Sequence, residues 1–232
     1  MSTLVIKKKE EEIIKPKEEE IIRNNPNSKE KTLANKPLMI IGPSGVGKDK
    51  LTNMFKDKYK SILKKCVSNT TRKMRKNEKE GINYYYISKE KFAELESNNE
   101  LIGIFKKYDT FYGTSKKVIN ETLDCEHIIY FDYNIETAIK IFEENEFEFN
   151  YIAIIPKNIN ELEKRLRNRG SDDEETIKKR IEYAPEEIKL IKENESKFIN
   201  YVIINDKLEE AFKEFESCIK ALYPQLFFNV YF

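Results

Sequence analysis

Pro37-Leu-Met-Ile-Ile-Gly-Pro-Ser-Gly-Val-Gly-Lys-Asp-Lys50 runs from four apolar residues into a glycine-rich loop and then into a helical pattern. A short apolar run bounded by a turn signal predicts a buried strand, and a Gly-rich loop between such a strand and a helix predicts a phosphate-binding P-loop. Gly42 to Lys48 fit the spacing G-x-x-x-x-G-K. Glycines at 42, 45 and 47 allow positive φ, which turns amide hydrogens inward to form a nest for phosphate oxygens. Lys48 adds a point charge, and the helix start adds its dipole and free N–H groups. Gly42, Pro43, Ser44, Gly45, Val46, Gly47, Lys48 and Asp49 are therefore the candidate phosphate-binding residues. Asp49 stands where a Ser or Thr hydroxyl usually meets magnesium. Its carboxylate is a hard ligand for Mg²⁺ and suits a helix start, but without an intervening cation it repels phosphate. Asp49 is accordingly the candidate metal ligand.

Outward from the loop, short apolar runs alternate with helical patterns, which predicts an α/β fold with a parallel sheet flanked by helices. Five core strands are expected, at 38–41, 65–68, 128–132, 151–155 and 201–204. Helices are expected at 48–59, 135–143, 159–168, 173–191 and 208–222. Between the second and third core strands the texture changes. Tyr84 to Ile87, Leu101 to Phe105 and Phe111 to Thr114 read as antiparallel strands around a helix at 89–97, an inserted lobe.

The chain has 232 residues, enough for one sizeable α/β domain with appendages. Net charge is +1 although 36% of residues are charged, which leaves no electrostatic footprint for nucleic acid or an anionic membrane. No apolar run approaches the roughly 18 residues of a membrane span. A soluble, cytoplasmic protein is expected. Three widely spaced cysteines, Cys66, Cys125 and Cys218, argue against a disulfide scaffold or a zinc site and fit a reducing compartment. The single histidine, His127, reads as structural. Residues 1–36 form a low-complexity arm in which KKKEEEII, from Lys7 to Ile14, recurs as KPKEEEII, from Lys15 to Ile22. Pro16 and Pro26 interrupt helix, and the apolar content is too sparse for a core. The domain is expected over 37–224, with LFFNVYF in the tail at 225–232 folding back onto it.

Downstream of the loop, Val67-Ser-Asn-Thr-Thr-Arg-Lys-Met-Arg75 places two arginines three residues apart, a pair suited to grip one phosphate. Gly81-Ile-Asn-Tyr84, Tyr112-Gly-Thr114, Phe131-Asp-Tyr-Asn134, Arg165-Leu-Arg-Asn-Arg-Gly170 and Arg180 follow in order. Together these segments resemble the guanylate kinase family, over about Pro37 to Leu222. The resemblance implies transfer of the γ-phosphoryl group of ATP to GMP, with Mg²⁺. It assigns Lys48 and the loop to ATP, and Arg72, Arg75, Tyr84 and Tyr112 to the GMP phosphate. Ser68 and Thr114 would lie near the guanine, Asp132 close to metal and nucleotide, and Asn205 beside the adenine. Arg165, Arg169 and Arg180 resemble lid arginines that neutralise the transferring phosphoryl group. The inserted lobe, about 68–126, would be the nucleotide-monophosphate domain, and about 158–190 the lid.

The chain departs from the family pattern at four places. Asp49 and Lys50 replace the hydroxyl pair after the loop lysine, Asn134 and Glu136 alter DxDxQG, and Asn83 replaces an Asp. Gly103 stands where the family usually has a Glu that accepts the guanine N1 and N2 hydrogens. A Gly makes no such bonds, so weaker GMP binding and relaxed base choice are expected. Two other readings remain open: a guanylate-kinase-like module that binds a phosphopeptide or regulatory nucleotide without turnover, and another small-molecule P-loop kinase.

Overall fold

The structure, a computed structural model, describes residues 35–75, 78–107, 109–124, 126–170 and 172–227. The greater part of the expected N-terminal arm, Cys125 and the end of the C-terminal tail lie outside them. The chain divides into a unit of residues 1–32 and a unit of residues 33–232, and all the described residues belong to the second.

In chain order the core elements are β1 (Leu38–Ile41), α1 (Lys48–Lys58), β2 (Leu63–Lys65), β7 (Ile128–Tyr133), α4 (Ile135–Glu144), β8 (Asn150–Pro156), α5 (Ile159–Arg169), α6 (Glu174–Asn194), β9 (Tyr201–Asn205) and α7 (Leu208–Leu222). The five strands form one parallel sheet in the order β2-β7-β1-β8-β9. Parallel sheets are covered on both faces, and the central strand shows why: all four residues of β1 are fully buried. Because alternate side chains point to opposite faces, Leu38 and Ile40 join one core with Phe55 and Phe215, whereas Met39 and Ile41 join a second with Ile135 and Ala138. Three of these helices start where side-chain caps dictate. Asn134, Asn158 and Asp173 each accept a hydrogen bond from the backbone N–H three residues on, opening α4, α5 and α6. No helix among the described residues is long and apolar enough to cross a membrane.

The inserted lobe comprises β3 (Asn69–Thr70), β4 (Tyr85–Tyr86), α2 (Lys89–Ser97), β5 (Leu101–Lys107), β6 (Thr110–Ser115) and α3 (Lys116–Thr122). Its sheet has the order β4-β3-β6-β5. Three expectations need correction. The second core strand lies at Leu63–Lys65, not 65–68, because its register with β7 starts at Leu63 against Ile128 and the chain leaves the sheet after the Cys66 N–H bonds Tyr130 O. Ser68 thereby belongs to the crossing into the lobe. The lobe is also not wholly antiparallel: β4 pairs parallel to β3. Finally, α3 was not foreseen in the sequence.

Packing of the domain extends back to Asn35, inside the segment read as the arm. Asn35 is buried, its N–H bonds Asp124 O and its side chain bonds His127 O. His127 in turn pairs through Nδ1 with Asp124 Oδ2 at 2.7 Å, the structural role expected of it. Cys66 and Cys218 are buried free thiols, and burial pushes Cys66 up to about 12. From the C-terminal tail, Phe227 packs against Phe55 and Tyr59. Residues 228–232 are outside the described range.

Candidate functional site

The loop after β1 turns on Gly42 (φ 144°), Gly45 (87°) and Gly47 (107°), all in the region glycine favours. At Gly42 a side chain is also excluded by space, since a Cβ would sit 2.0 Å from Ile154 O on β8. Close approach of loop to sheet therefore fixes the nest. The loop is held from behind by Val46 O, which accepts from Asn205 Nδ2 at 2.7 Å and from Arg165 Nη1 at 3.3 Å. Arg165 Nη2 also donates to Asp206 O at 3.0 Å. Thus Arg165 and the buried Asn205, singled out in the sequence for ligand contacts, brace the loop through its backbone.

Lys48, the first residue of α1, donates Nζ to Gly42 O and lies 3.5 Å from Asp132 Oδ1 at the end of β7. A cavity of about 430 Å³ opens here, lined by Ser44, Lys48, Asp49, Asp132, Arg169 and Arg180 among others. Arg180 crosses from α6 to donate to Ser44 Oγ at 2.8 Å and to Asp172 Oδ2 at 2.8 Å. Its Nε is buried and has no partner, an orphaned donor that an anionic oxygen would satisfy. Arg169 is the last residue of α5, just before Gly170 caps the helix at φ 62°. Arg167, by contrast, pairs with Glu163 and Glu174 at the surface.

Among the described residues no three carboxylates, histidines or cysteines cluster as a complete metal cage. Mg²⁺ does not need one, because it usually takes one or two carboxylates and completes its shell with waters and phosphate oxygens. Asp49 and Asp132 line the same cavity as the phosphate nest, and their hard oxygens suit that ion.

A second group of polar residues comes from the lobe. Arg72 makes a two-pronged bond to Glu78, at 2.7 and 2.9 Å. Glu78 also accepts from Arg75 N–H and Tyr86 Oη, each at 2.8 Å. The Arg72 guanidinium beside it holds the Glu78 carboxyl down to about 2. Arg72 sits over the Tyr84 ring at 5.6 Å, and Tyr84 lies 5.8 Å from Tyr112. Tyr112 stacks on Phe105 at 4.8 Å. Arg75 is exposed, with its backbone tied to this cluster. Asn83 Oδ1 accepts from Lys79 N–H at 2.8 Å, closing the turn that presents Tyr84.

Ser68, Tyr84, Tyr112, Asp132 and Tyr133 line a smaller cavity between this cluster and β7. It shares Phe105, Asp132 and Tyr133 with a cavity of about 680 Å³ that reaches Gly42, Lys48 and Arg180. Buried Thr114 links two hydroxyls, bonding Ser68 Oγ at 2.7 Å and Tyr133 Oη. Gly103 sits at an irregularity of β5 with φ 60°, and a Cβ there would lie 2.9 Å from the Tyr133 hydroxyl. Asn134 and Glu136 also have structural employment: Asn134 caps α4, and Glu136 Oε1 accepts from Tyr183 Oη of α6 at 2.8 Å.

The fold thus brings Lys48, Asp49, Asp132, Arg169 and Arg180 to one cavity, and Ser68, Tyr84 and Tyr112 to an adjoining one that shares Asp132. Glu78 and Tyr133 were assigned no role in the sequence. Glu78 carried a signal, an acid six residues after Arg72 in a basic loop. Tyr133 carried none, being one more large residue in a buried strand.

The family model described as Guanylate kinase matches residues 34–222. The chain is 38% identical over 192 residues to a guanylate kinase of Rickettsia felis, covering 82% of this chain and 96% of that protein. It is 36% identical over 184 residues to one from Clostridioides difficile, covering 79% and 86% respectively. The crystal structure of guanylate kinase from Anaplasma phagocytophilum superposes with a TM-score of 0.61 at 27% identity, over 82% of this chain and 87% of that one.

Proposed function

Because the chain belongs to the guanylate kinase family, we propose that it transfers the γ-phosphoryl group of ATP to GMP, giving ADP and GDP. The observation that carries this reading is the shared position of Asp132, which lines both the P-loop cavity and the pocket of Ser68, Tyr84 and Tyr112. Two polar cavities that share one residue suit a donor and an acceptor held side by side for direct transfer. Such chemistry is mainly positioning and charge neutralisation.

In this reading Lys48 and the amides of the Gly42–Gly47 loop hold the ATP phosphates. Arg72, Arg75, Tyr84 and Tyr112 hold the GMP phosphate, with Glu78 fixing the Arg72 guanidinium. Ser68 and Thr114 lie at the base. Arg180, with its orphaned Nε, and Arg169 neutralise charge on the transferring group. Arg165 and Asn205 act through the loop they brace. Asp49 and Asp132 would hold Mg²⁺, which would supply charge neutralisation on the phosphate oxygens. The lobe at about 68–126 is then the nucleotide-monophosphate domain and the segment at about 158–190 the lid, in a cytoplasmic enzyme.

The test is ADP formation by the full chain with Mg-ATP and GMP, dGMP, AMP or UMP in turn. Turnover with GMP is expected. Folded protein that forms no ADP with any acceptor would establish the binding-module reading, and turnover with another acceptor but not GMP would establish a different kinase.

A further inference from the structure

Arg180 reaches the phosphate cavity with one guanidinium nitrogen already engaged. Its Nη1 donates to Asp172 Oδ2 and to Ser44 Oγ, both at 2.8 Å, and those two acceptors match the two protons it carries. Nε is buried and finds no partner among the described residues. Nε and Nη2 make up the other edge of the planar fork, whose parallel N–H groups match two oxygens of a phosphoryl group. Engaging Nη1 from behind therefore commits that edge to an incoming anion, in a side chain that lines both large cavities.

Asp172 is placed to fix this orientation. The helix α5 ends at Gly170 with φ 62°, and the Asp173 side chain caps α6 by accepting from Thr176 N–H at 2.7 Å, so Asp172 stands directly before a capped helix start. Its pair with Arg180 is shielded, the two side chains being 13% and 22% exposed, whereas Glu174 opposite Arg167 is 71% exposed. Exposed pairs hold little geometry against water, and shielded ones hold more. Asp49 and Asp132 line the cavity beside Arg180, and pairing with Asp172 keeps the guanidinium off these carboxylates.

Resting on the guanylate kinase reading, we propose that Asp172 is a positioning residue for phosphoryl transfer. With Ser44 it holds Arg180 Nη1 so that the Nε and Nη2 edge meets the transferring group. Arg180 touches the phosphoryl oxygens, and Asp172 acts through it. An arginine set before the nucleotides arrive loses no further rotamer freedom in the transition state, so the effect falls on kcat and not on KM.

Steady-state kinetics of the full chain with Mg-ATP and GMP, in a double-mutant cycle over Asp172 and Arg180, tests this. Asp172→Ala should lower kcat at least about tenfold and move the KM of either nucleotide by no more than about twofold. In the Arg180→Ala background the same change should cost less than about twofold, because nothing is left to position. Asp172→Asn, which keeps an acceptor, should recover part of the rate. Equal losses from Asp172→Ala in both backgrounds would overturn the proposal, as would a loss confined to KM. Arginine side-chain NMR separates positioning from transfer. The Arg180 Nε–H signal, identified by its absence from Arg180→Lys, should shift when Mg-ATP is added to wild type and stay in place in Asp172→Ala; a wild-type signal unmoved by Mg-ATP would also overturn the proposal. If the signal behaves as expected in protein that forms no ADP with GMP, the positioning stands and the transfer reading falls. Turnover with GMP at a rate indifferent to Asp172 has the opposite meaning.

Discussion

Asp49, Glu78 and Arg165 show how a side chain's surroundings decide its work. Asp49 sits in the first turn of α1 and lines the cavity with Lys48 and Asp132. A carboxylate there repels phosphate unless a cation intervenes, so Asp49→Asn should raise the Mg²⁺ concentration for half-maximal velocity on the order of tenfold. Magnesium titrations of initial rate would show this, and an unchanged midpoint would remove Asp49 from the metal site. Glu78 predicts a pH effect of fixed sign. Its carboxyl is lowered from the ordinary 4.5 to about 2 by Arg72, so the stabilisation it contributes is complete above 4.5 and is lost as pH falls toward 2. Thermal unfolding of wild type and Glu78→Gln should differ by a constant gap at neutral pH that closes across that window. A gap that persists at the acid end would contradict the assignment. From the residues alone Arg72 was visible as a phosphate ligand. Its partner was not, because selecting Glu78 from a chain rich in acids requires the geometry of the turn. Arg165 shows the same limit: the resemblance read it as a lid arginine, but the carbonyls it binds belong to Val46 and Asp206, far away in sequence.

Elements with strong periodicity were legible. The apolar runs of β1, β7, β8 and β9 and the helices α1, α2, α4 and α7 lie where the apolar runs and helical patterns of the sequence put them, within a residue or two. Short strands were not, since β3 and β4 have two residues each and carry too little pattern to reveal direction. The β5 irregularity was equally hidden. Gly103 looked like a lost carboxylate, whereas the backbone there is left-handed and pressed against a buried phenol. Gly103→Ala should therefore destabilise the fold by about 1–2 kcal/mol from backbone strain, more if the phenol must shift. Urea unfolding would measure it, and a neutral substitution would show that β5 relaxes freely at this point.

At the scale of the molecule, the two cores on either face of the sheet are built from residues 38 onward, and Asn35 is the first described residue tied into them. Fold and family were readable because strand, loop, arginines and tyrosines follow one another in a set order. The site's internal logic was less so, since its linked hydroxyls, its braced loop and its shared Asp132 arise only when distant segments pack. The central claim is transfer of a phosphoryl group between two nucleotides that meet at Asp132. It is tested most directly by following γ-labelled ATP with GMP and Mg²⁺ on the wild-type chain and on Lys48→Ala. The account predicts label appearing in GDP, one for each ADP formed, and its loss in the variant; folded wild-type protein that binds both nucleotides and moves no label would contradict it.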